Sequence, residues 1–427
     1  MRLHNAFLAL IIGILLISCE TPNQTDWRKS NPAGDTTASL NKLYERAQRN
    51  DYFAMVHLGW RYDTGTGVQK NLREAAGWYR MAAERGGHSM AQNNLGCLYR
   101  DGRGVIQDYK TAATLFRLSS EQGNRHAKTN LGWLYERGYG TEINYTESLR
   151  LYSEAATEWK NFENGKMMPG HPMAQNNLGC LYRDGKGTQP DPLTAVKWFR
   201  KSASAGNDHG HYNLGIMYER GLGIKPDIRK ALEHYDLSVK SDNVYAMNAV
   251  ASLFKEGRAV PQNYAIALEY YTMAAEKGYS MAIYNLAILH LEGKGIKSDP
   301  ITAIEWMAKA AIRGNAYAQA KYAWMLEKGI GIRQNYIESI KWYEHAAQQG
   351  LTIGQINLAL LLASGATGKK DVVKAYKWMT LASNSGNNTA TTLLPKIEEG
   401  MTTDQIAQAK FLASKFVAHP TIEESTR

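Results

Sequence analysis

The sequence repeats itself with a period of 36 residues over most of its length. The clearest marker is a small residue that usually follows a leucine, and we use it as the anchor of each unit. Its nine occurrences are Gly59, Gly96, Gly132, Gly179, Gly215, Ala251, Ala287, Ala323 and Ala359. Successive spacings are 37, 36, 47, 36, 36, 36, 36 and 36 residues, so one insertion interrupts the third unit. Such a period predicts stacked supersecondary units that bury one continuous core.

Each unit has the pattern of two short helices joined by a turn. Apolar residues at a spacing of four, such as Ala54, Leu58 and Tyr62, lie on one face of a first helix. A glycine six residues after the anchor, from Gly65 to Gly365, predicts the end of this helix, because glycine adopts left-handed backbone at low cost. An Asp or Asn twelve residues after the anchor predicts the N-cap of a second helix. These caps are Asn71, Asp108, Asn144, Asp191, Asp227, Asn263, Asp299, Asn335 and Asp371.

Two segments carry a resemblance to a known family. Residues 91–104, AQNNLGCLYRDGRG, and 265–278, AIALEYYTMAAEKG, resemble Sel1-like repeats, which are related to tetratricopeptide repeats. The resemblance covers about 40–416 of the chain. It implies an all-α fold, a right-handed α/α superhelical solenoid of about nine helix-turn-helix repeats with capping helices and a concave face lined by the first helices. Proteins of this kind mostly bind other proteins or scaffold complexes, and the fold alone does not specify the partner.

The ends of the chain predict an exported lipoprotein. The apolar run 6–17 is shorter than the roughly 20 residues that span a bilayer, so it is typical of a signal peptide. Residues 16–19, Leu-Ile-Ser-Cys, resemble a bacterial lipobox, in which Cys19 becomes the lipidated first residue; an ordinary signal peptide with a chance cysteine is the alternative. Glu20 is not the Asp that typically retains lipoproteins in the inner membrane. We therefore expect a lipid-anchored protein of the cell envelope, at the outer membrane and facing the periplasm.

The resulting organisation has four parts. Residues 1–18 form the signal peptide, 19–39 a flexible tether rich in polar residues, 40–398 the repeat solenoid, and 399–427 a capping helix and tail. A lone second helix is expected over 40–49. The closing helix is expected over 403–416, with Thr403 or Asp404 as its cap.

The composition of the chain limits the classes of partner that it is expected to bind. The formal net charge is +10, but the basic residues are scattered among 40 acidic ones, without a basic run. An exported protein rarely meets nucleic acid, so the charge predicts solubility and a weak preference for polyanions such as an acidic glycan. The cysteines at 19, 97 and 180 are too few for a disulfide framework.

The sequence carries no catalytic motif that we recognise. It lacks a His-Glu-x-x-His zinc pair, a phosphate-binding Gly-x-x-x-x-Gly-Lys loop and a Gly-x-Ser-x-Gly elbow. Cysteine-rich Sel1-like proteins described as β-lactamases have a cysteine pair in each repeat, and this chain has none. The histidines are scattered over separate units. We therefore predict no catalytic residue, no metal site and no cofactor.

The resemblance also indicates candidate partner-binding residues. In related tetratricopeptide domains, the positions two before, one after and four after the anchor point toward the concave face. Here these positions hold Asn94, Asn130, Asn177, Asn213, Asn285 and Asn357, then Trp60, Trp133 and Trp324, then Arg100 and Arg183. Amides can hold an extended peptide or sugar hydroxyls, and tryptophans stack on apolar groups. The alternative is that the asparagines satisfy neighbouring turns and the tryptophans pack between helices.

The insertion in the third unit, about 159–171, is the one irregular element of the pattern. Insertions in repeat proteins map to loops on one face and often mark function. Its Trp159, Phe162, Met167 and Met168 either dock a partner or fold back on the neighbouring unit.

These observations favour a non-catalytic adaptor or scaffold of the bacterial cell envelope, which binds a protein, an extended peptide or a glycan through its concave groove. The first alternative is a secreted or surface-exposed factor that binds a host protein. The second is a cell-wall-active enzyme of the cysteine-rich Sel1-like type.

Overall fold

The computed structural model of the protein describes residues 36–160, 166–258 and 260–419. The expectations for the signal peptide, for Cys19 and for Phe162 lie outside these residues. The described chain contains 21 α-helices and one two-stranded antiparallel β-ribbon, β1 (Trp159–Lys160) and β2 (Met167–Met168). It divides into two compact units: the described residues up to Ser241 form the N-terminal unit, and those from Asp242 onward form the C-terminal unit.

In the N-terminal unit, every helix packs against the next helix along the chain. A lone α1 is followed by five pairs, and the β-ribbon lies between α7 and α8. The helices are α1 (Thr36–Gln48), α2 (Tyr52–Thr64), α3 (Leu72–Gly86), α4 (Ser89–Asp101), α5 (Tyr109–Glu121), α6 (Arg125–Arg137), α7 (Tyr145–Ala156), α8 (Pro172–Asp184), α9 (Pro192–Ser204), α10 (Asp208–Arg220) and α11 (Ile228–Val239).

The C-terminal unit continues the same pattern with four pairs and two closing helices. Its helices are α12 (Val244–Glu256), α13 (Tyr264–Glu276), α14 (Ser280–Glu292), α15 (Pro300–Ile312), α16 (Ala316–Lys328), α17 (Tyr336–Gln348), α18 (Thr352–Ser364), α19 (Val372–Asn384), α20 (Asn388–Glu398) and α21 (Thr403–Ser414). Both α20 and α21 pack against α19. The predicted all-α solenoid of helix-turn-helix repeats is confirmed.

The helix ends follow from the capping residues. All nine predicted Asp and Asn caps accept a hydrogen bond from a backbone N–H in the first turn of the second helix. Each such bond stabilises its helix by about 1 kcal/mol. The first helices end at glycines with positive φ, from Gly65 at 79° to Gly365 at 71°. A second glycine lets the turn approach the preceding unit, because a methyl group on Gly104 would lie 2.4 Å from the carbonyl oxygen of Leu72.

The core of each repeat is one large side chain of the second helix packed on the anchor of the first. This side chain lies twenty residues after the anchor, and the nine are Tyr79, Phe116, Tyr152, Phe199, Tyr235, Tyr271, Met307, Tyr343 and Met379. All are at most 1% exposed. A methyl group on Gly215 would lie 2.3 Å from the Tyr235 ring, so a glycine anchor leaves the space that the ring occupies.

The two ends differ in detail from the sequence-based expectation. Helix α1 begins at Thr36 rather than at Leu40, so it includes the last residues assigned to the tether. The closing helix is capped by Thr402, not by Thr403 or Asp404. Thr402 is favoured because it forms a reciprocal capping box: Gln405 N–H donates to its hydroxyl, and its own N–H donates to Gln405 Oε1.

Candidate partner-binding surface

The predicted asparagines form hydrogen bonds between successive repeats. Asn130 Nδ2 on α6 donates to Asn93 Oδ1 on α4 at 3.0 Å, and Arg100 Nη1 donates to Asn130 Oδ1 at 3.0 Å. The carboxamide of Asn130 thus uses both of its polar atoms within the protein. Because the partners lie 37 and 30 residues away in sequence, this network fixes how one first helix sits on the next.

The same network recurs two repeats later in the N-terminal unit. Asn213 Nδ2 on α10 donates to Asn176 Oδ1 on α8 at 2.8 Å, and Arg183 Nη1 donates to Asn213 Oδ1 at 3.0 Å. In the C-terminal unit, Asn285 Nδ2 donates to Asn248 Oδ1 at 3.0 Å.

The three remaining asparagines have partners as well. Asn94 is hydrogen-bonded to the hydroxyl of Tyr79, Asn177 to that of Tyr152 and Asn357 to that of Tyr343. All six asparagines therefore have partners in a neighbouring repeat, and their part in partner binding stays a prediction.

The two arginines are paired with the carboxylate that follows each of them. Arg100 Nε lies 2.7 Å from Asp101 Oδ1, and Arg183 Nε lies 2.6 Å from Asp184 Oδ1. Arg100 is only 5% exposed. The charges of these two candidate partner-binding residues are thus locally neutralised by Asp101 and Asp184. Their contact with a partner likewise stays a prediction.

The residue four positions after the anchor is matched to the buried ring in several repeats, though not in all: the Tyr271 hydroxyl lies 2.9 Å from Ser252 Oγ instead. Two other buried tyrosines donate to a glutamate at this position, Tyr235 to Glu219 at 2.7 Å and Tyr343 to Glu327 at 3.0 Å. Burial of these hydroxyls and the nearby carboxylates raise the pKa of both tyrosines, which remain neutral donors. Where the ring is Phe116 or Phe199, no hydroxyl is present, and the fourth position after the anchor holds Arg100 or Arg183.

The predicted tryptophans lie partly buried against neighbouring side chains. Trp60 packs on the N-terminal core, and its ring centroid is 5.8 Å from that of His57. Trp133 packs near Tyr139, with ring centroids 5.4 Å apart, and the Arg100 guanidinium lies 5.8 Å from its centroid. Both therefore contribute to packing between elements.

The insertion forms the β-ribbon, in which Trp159 faces Met168 and Lys160 faces Met167. Arg125 anchors it: its guanidinium lies 5.3 Å from the Trp159 ring centroid and donates to the carbonyl oxygens of Glu154, Ala155 and Thr157. Met167 is 56% exposed, so the ribbon folds back through Trp159 and presents Met167 to solvent.

A histidine pair that the sequence did not predict closes the insertion. His171 caps α8: its Nδ1 accepts from Ala174 N–H at 3.3 Å, and its Nε2 lies 3.0 Å from His126 Nδ1. Since a backbone N–H can only donate, His171 carries its proton on Nε2 and donates it to His126. Burial, then His126 and Arg125, lower the pKa of His171 to about 3. The available signal was that five other units place an Asn or Asp cap at this position: Asp51, Asn124, Asn207, Asn243 and Asn315.

A second histidine pair lies between α10 and α11. The Nδ1 atoms of His211 and His234 are 3.1 Å apart, and burial lowers the pKa of both. No group of three or more His, Cys, Asp or Glu in the described parts of the chain could hold a metal ion.

An open groove lies on the first helices α16 and α18 of the C-terminal unit. Its volume is about 390 Å³, and its lining is Trp324, Glu327, Lys328, Tyr343, Asn357, Leu360, Leu361 and Ser364. Trp324 and Asn357 occupy positions that the sequence assigned to the concave face. The sequence did not indicate Leu360, which is 42% exposed, or Tyr343, whose hydroxyl reaches the groove from the second helix.

The groove contains both apolar and hydrogen-bonding groups. Lys321 Nζ lies 3.8 Å from the Trp324 ring centroid, and Lys328 pairs with Glu327 at 2.6 Å. Asn357 is hydrogen-bonded to Tyr343. The charges of its two charged lining residues, Glu327 and Lys328, thus balance, and Leu360 gives the groove an exposed apolar rim.

The repeats of the chain match one known family of repeat proteins. The Sel1 repeat model matches nine segments, 53–87, 89–124, 125–158, 172–207, 208–243, 244–279, 280–315, 316–351 and 352–387. The chain belongs to the Sel1 repeat family. The gap between the third and fourth matches coincides with the β-ribbon insertion. Sel1 repeat proteins typically act as scaffolds for protein interactions.

The chain is also similar to solved structures. A Sel1 repeat protein from Oxalobacter formigenes is 28% identical, with a TM-score of 0.51, over 76% of this chain and 91% of that protein. A protective antigen present in uropathogenic Escherichia coli strains, which displays an SLR fold, is 28% identical over 91% of this chain and 89% of that protein, with a TM-score of 0.47. No curated protein matches the chain.

The asparagine network makes a first prediction. Asn213→Ala removes one hydrogen-bond partner from Asn176 and one from Arg183, so we expect the free energy of unfolding in urea to fall by about 1–3 kcal/mol. Asn384→Ala, at the exposed end of α19, should change it by less than about 0.5 kcal/mol. An Asn213→Ala protein as stable as the wild type would argue that the network does not hold the repeats together.

The histidine pair makes a prediction about pH. Because the folded-state pKa of His171 lies below the unfolded value of about 6.5, the unfolded chain binds more protons as the pH falls, and stability is lost between about pH 6.5 and pH 3. We expect His171→Asn, which keeps a capping side chain, to lose up to about 3 kcal/mol less than the wild type between about pH 7 and pH 4.

The control for this measurement is His345→Asn, at an exposed position of α17, which should follow the wild-type pH dependence of the free energy of unfolding. If His171→Asn also followed it, the histidine pair would not be a source of the acid sensitivity.

Proposed function

We propose that this protein is a non-catalytic scaffold of the bacterial cell envelope that holds a protein partner on the first helices of its C-terminal unit. The observation that carries the proposal is the open groove on α16 and α18. In the N-terminal unit, the equivalent asparagines and arginines are engaged between repeats. On α16 and α18, by contrast, Trp324 and Leu360 border a groove that no side chain of the described protein fills.

The chemistry of the groove fits a peptide segment with a large apolar side chain. Leu360, Leu361 and the Trp324 ring provide apolar contact, and aromatic anchors of this kind dominate binding energy at protein interfaces. The paired Glu327 and Lys328 at its wall offer one acceptor and one donor to a peptide backbone. A strongly charged glycan fits less well, because these two charges neutralise each other.

A photo-crosslinking experiment tests the groove. p-Benzoylphenylalanine at position 360, expressed in whole cells and irradiated, should give a protein adduct. The matched position is 193 on α9, where the leucine is 64% exposed and lies outside the lining of this groove. In binding measurements with the captured partner, Trp324→Ala should weaken affinity by about 1–2 kcal/mol, because it truncates an aromatic anchor.

Adducts at position 193 without adducts at 360 would contradict the groove assignment, as would a Trp324→Ala protein with unchanged affinity. The thermal melting temperature of each variant, measured in parallel, separates loss of binding from loss of folding.

The envelope location is the second part of the proposal and rests on residues 16–19. The described residues contain no helix long and apolar enough to cross a bilayer. A lipid on Cys19, followed by a polar segment of about twenty residues, would tether the repeats to a membrane surface and leave the groove open to a partner.

Substitution at the predicted lipidation site tests the anchor. Cys19→Ser should abolish incorporation of labelled palmitate and move the protein from the membrane to the soluble fraction. Cys180→Ser, which changes a cysteine on α8 within the repeats, should keep both properties. A Cys19→Ser protein that still labels and still sediments with membranes would reject the lipid anchor.

A further inference from the structure

One edge of the C-terminal unit exposes a row of isoleucines. It is formed by the turns after α14 and α16 and by the first turns of α15 and α17. We call it the isoleucine edge and define it by Ile296, Ile301, Ile332 and Ile337, which are 39%, 63%, 42% and 64% exposed. Single exposed apolar residues are normal, but a contiguous apolar patch on a protein surface marks an interaction site.

The backbone brings the turn that carries Ile332 onto the start of the helix that carries Ile301. A methyl group on Gly331, the residue before Ile332, would lie 2.2 Å from the carbonyl oxygen of Pro300, and 3.2 Å from the nitrogen of Ile301. The turn of one repeat therefore lies directly on the start of the preceding second helix. Ile337 follows in the first turn of the helix that this turn leads into, so the edge is continuous over two repeats.

Cations flank the isoleucines. Lys297 and Arg333 directly follow Ile296 and Ile332, and Lys369 and Lys370 occupy the next turn along the chain. All four are exposed, and none has a carboxylate within ion-pair distance in the described parts of the chain. Other lysines nearby are paired, for example Lys294 with Glu292 at 2.8 Å. The edge thus combines apolar side chains with unneutralised positive charge.

The corresponding turns of the N-terminal unit have a different composition. At the position of Lys297, Arg333 and Lys369, its five repeats carry Gln69, Ile106, Glu142, Gln189 and Lys225. At the position of Ile301 and Ile337, they carry Arg73, Lys110, Thr146, Leu193 and Arg229. The fifth repeat also has an isoleucine before its cation, Ile224 before Lys225, but Arg229 stands where Ile301 and Ile337 supply the second isoleucine. The repeat fold itself therefore does not require this composition, and two isoleucines beside a cation occur together in the repeats of α14–α15 and α16–α17.

We infer that the isoleucine edge binds the anionic surface of a phospholipid bilayer. Exposed isoleucines enter the boundary between headgroups and acyl chains, and Lys297, Arg333, Lys369 and Lys370 contact the headgroup phosphates. Charge complementarity selects this occupant over a second copy of the chain, because two copies of the edge would bring like charges together. The contact depends neither on the groove nor on Cys19, so it goes beyond the proposed function.

Vesicle flotation tests the inference with the unlipidated chain from Glu20 onward, which contains every described helix. We expect binding to vesicles of equimolar phosphatidylethanolamine and phosphatidylglycerol, and little binding to phosphatidylcholine alone. The double variant Ile301→Ser/Ile337→Ser should lower the vesicle partition coefficient by about tenfold. Lys297→Gln/Arg333→Gln should lower it by about fivefold for each cation removed.

The matched controls are Leu193→Ser, which removes an equally exposed aliphatic side chain from the same repeat position in the N-terminal unit, and Lys225→Gln, at the position equivalent to Lys297. Both should bind vesicles like the parent chain. Absence of binding to the anionic vesicles, or equal losses in the edge and control variants, would overturn the inference.

Two further outcomes would also reject it. If the isoleucine variant kept full vesicle binding while the cation variant lost it, the edge would bind polyanions in general rather than a bilayer. If the isoleucine variant instead converted a dimer to a monomer in sedimentation equilibrium, the occupant of the edge would be a second copy of the chain.

Discussion

The structure depends on one contact that recurs in every repeat, the packing of a large side chain of the second helix on a small anchor of the first. Tyr235 lies against Gly215 so closely that a methyl group on the glycine would meet the ring at 2.3 Å. This contact brings the two helices of a unit together and buries the ring completely. Because each repeat then buries its remaining apolar faces against the next one, stability is shared between neighbours rather than held by a single core.

In several repeats the buried ring is also matched to the polar residue four positions after the anchor. A buried tyrosine hydroxyl needs an acceptor, and Glu219 and Glu327 provide it. A phenylalanine ring has no such need, so the same position can hold an arginine that donates to an asparagine of the next repeat, as Arg183 does to Asn213. The polar residues of the N-terminal first helices therefore hold successive repeats together through hydrogen bonds. A partner needs a surface that these hydrogen bonds leave open, such as the groove on α16 and α18.

The proposed functions use two different surfaces of the C-terminal unit. The groove is lined by first helices and contains balanced charges with an apolar rim, which suits a peptide segment. The isoleucine edge is built from turns and from the starts of second helices, and its cations have no carboxylate partners among the described residues. A bilayer contact through the edge and a partner in the groove require different residues, so each can be removed by substitution without touching the other.

The sequence alone determined the period, the repeat pattern and nearly all helix ends, because caps and turn glycines act on backbone groups within a few residues. Asn71 or Gly65 can be read without knowing the rest of the fold. The sequence did not determine that Asn130 reaches Asn93, that His171 reaches His126, or that the groove lies on α16 and α18. The two side-chain pairings join residues 37 and 45 positions apart. They and the groove depend on how one helix pair rotates and shifts against the next. That packing is decided by side-chain volumes and mutual hydrogen bonding across the interface, which only the tertiary structure fixes.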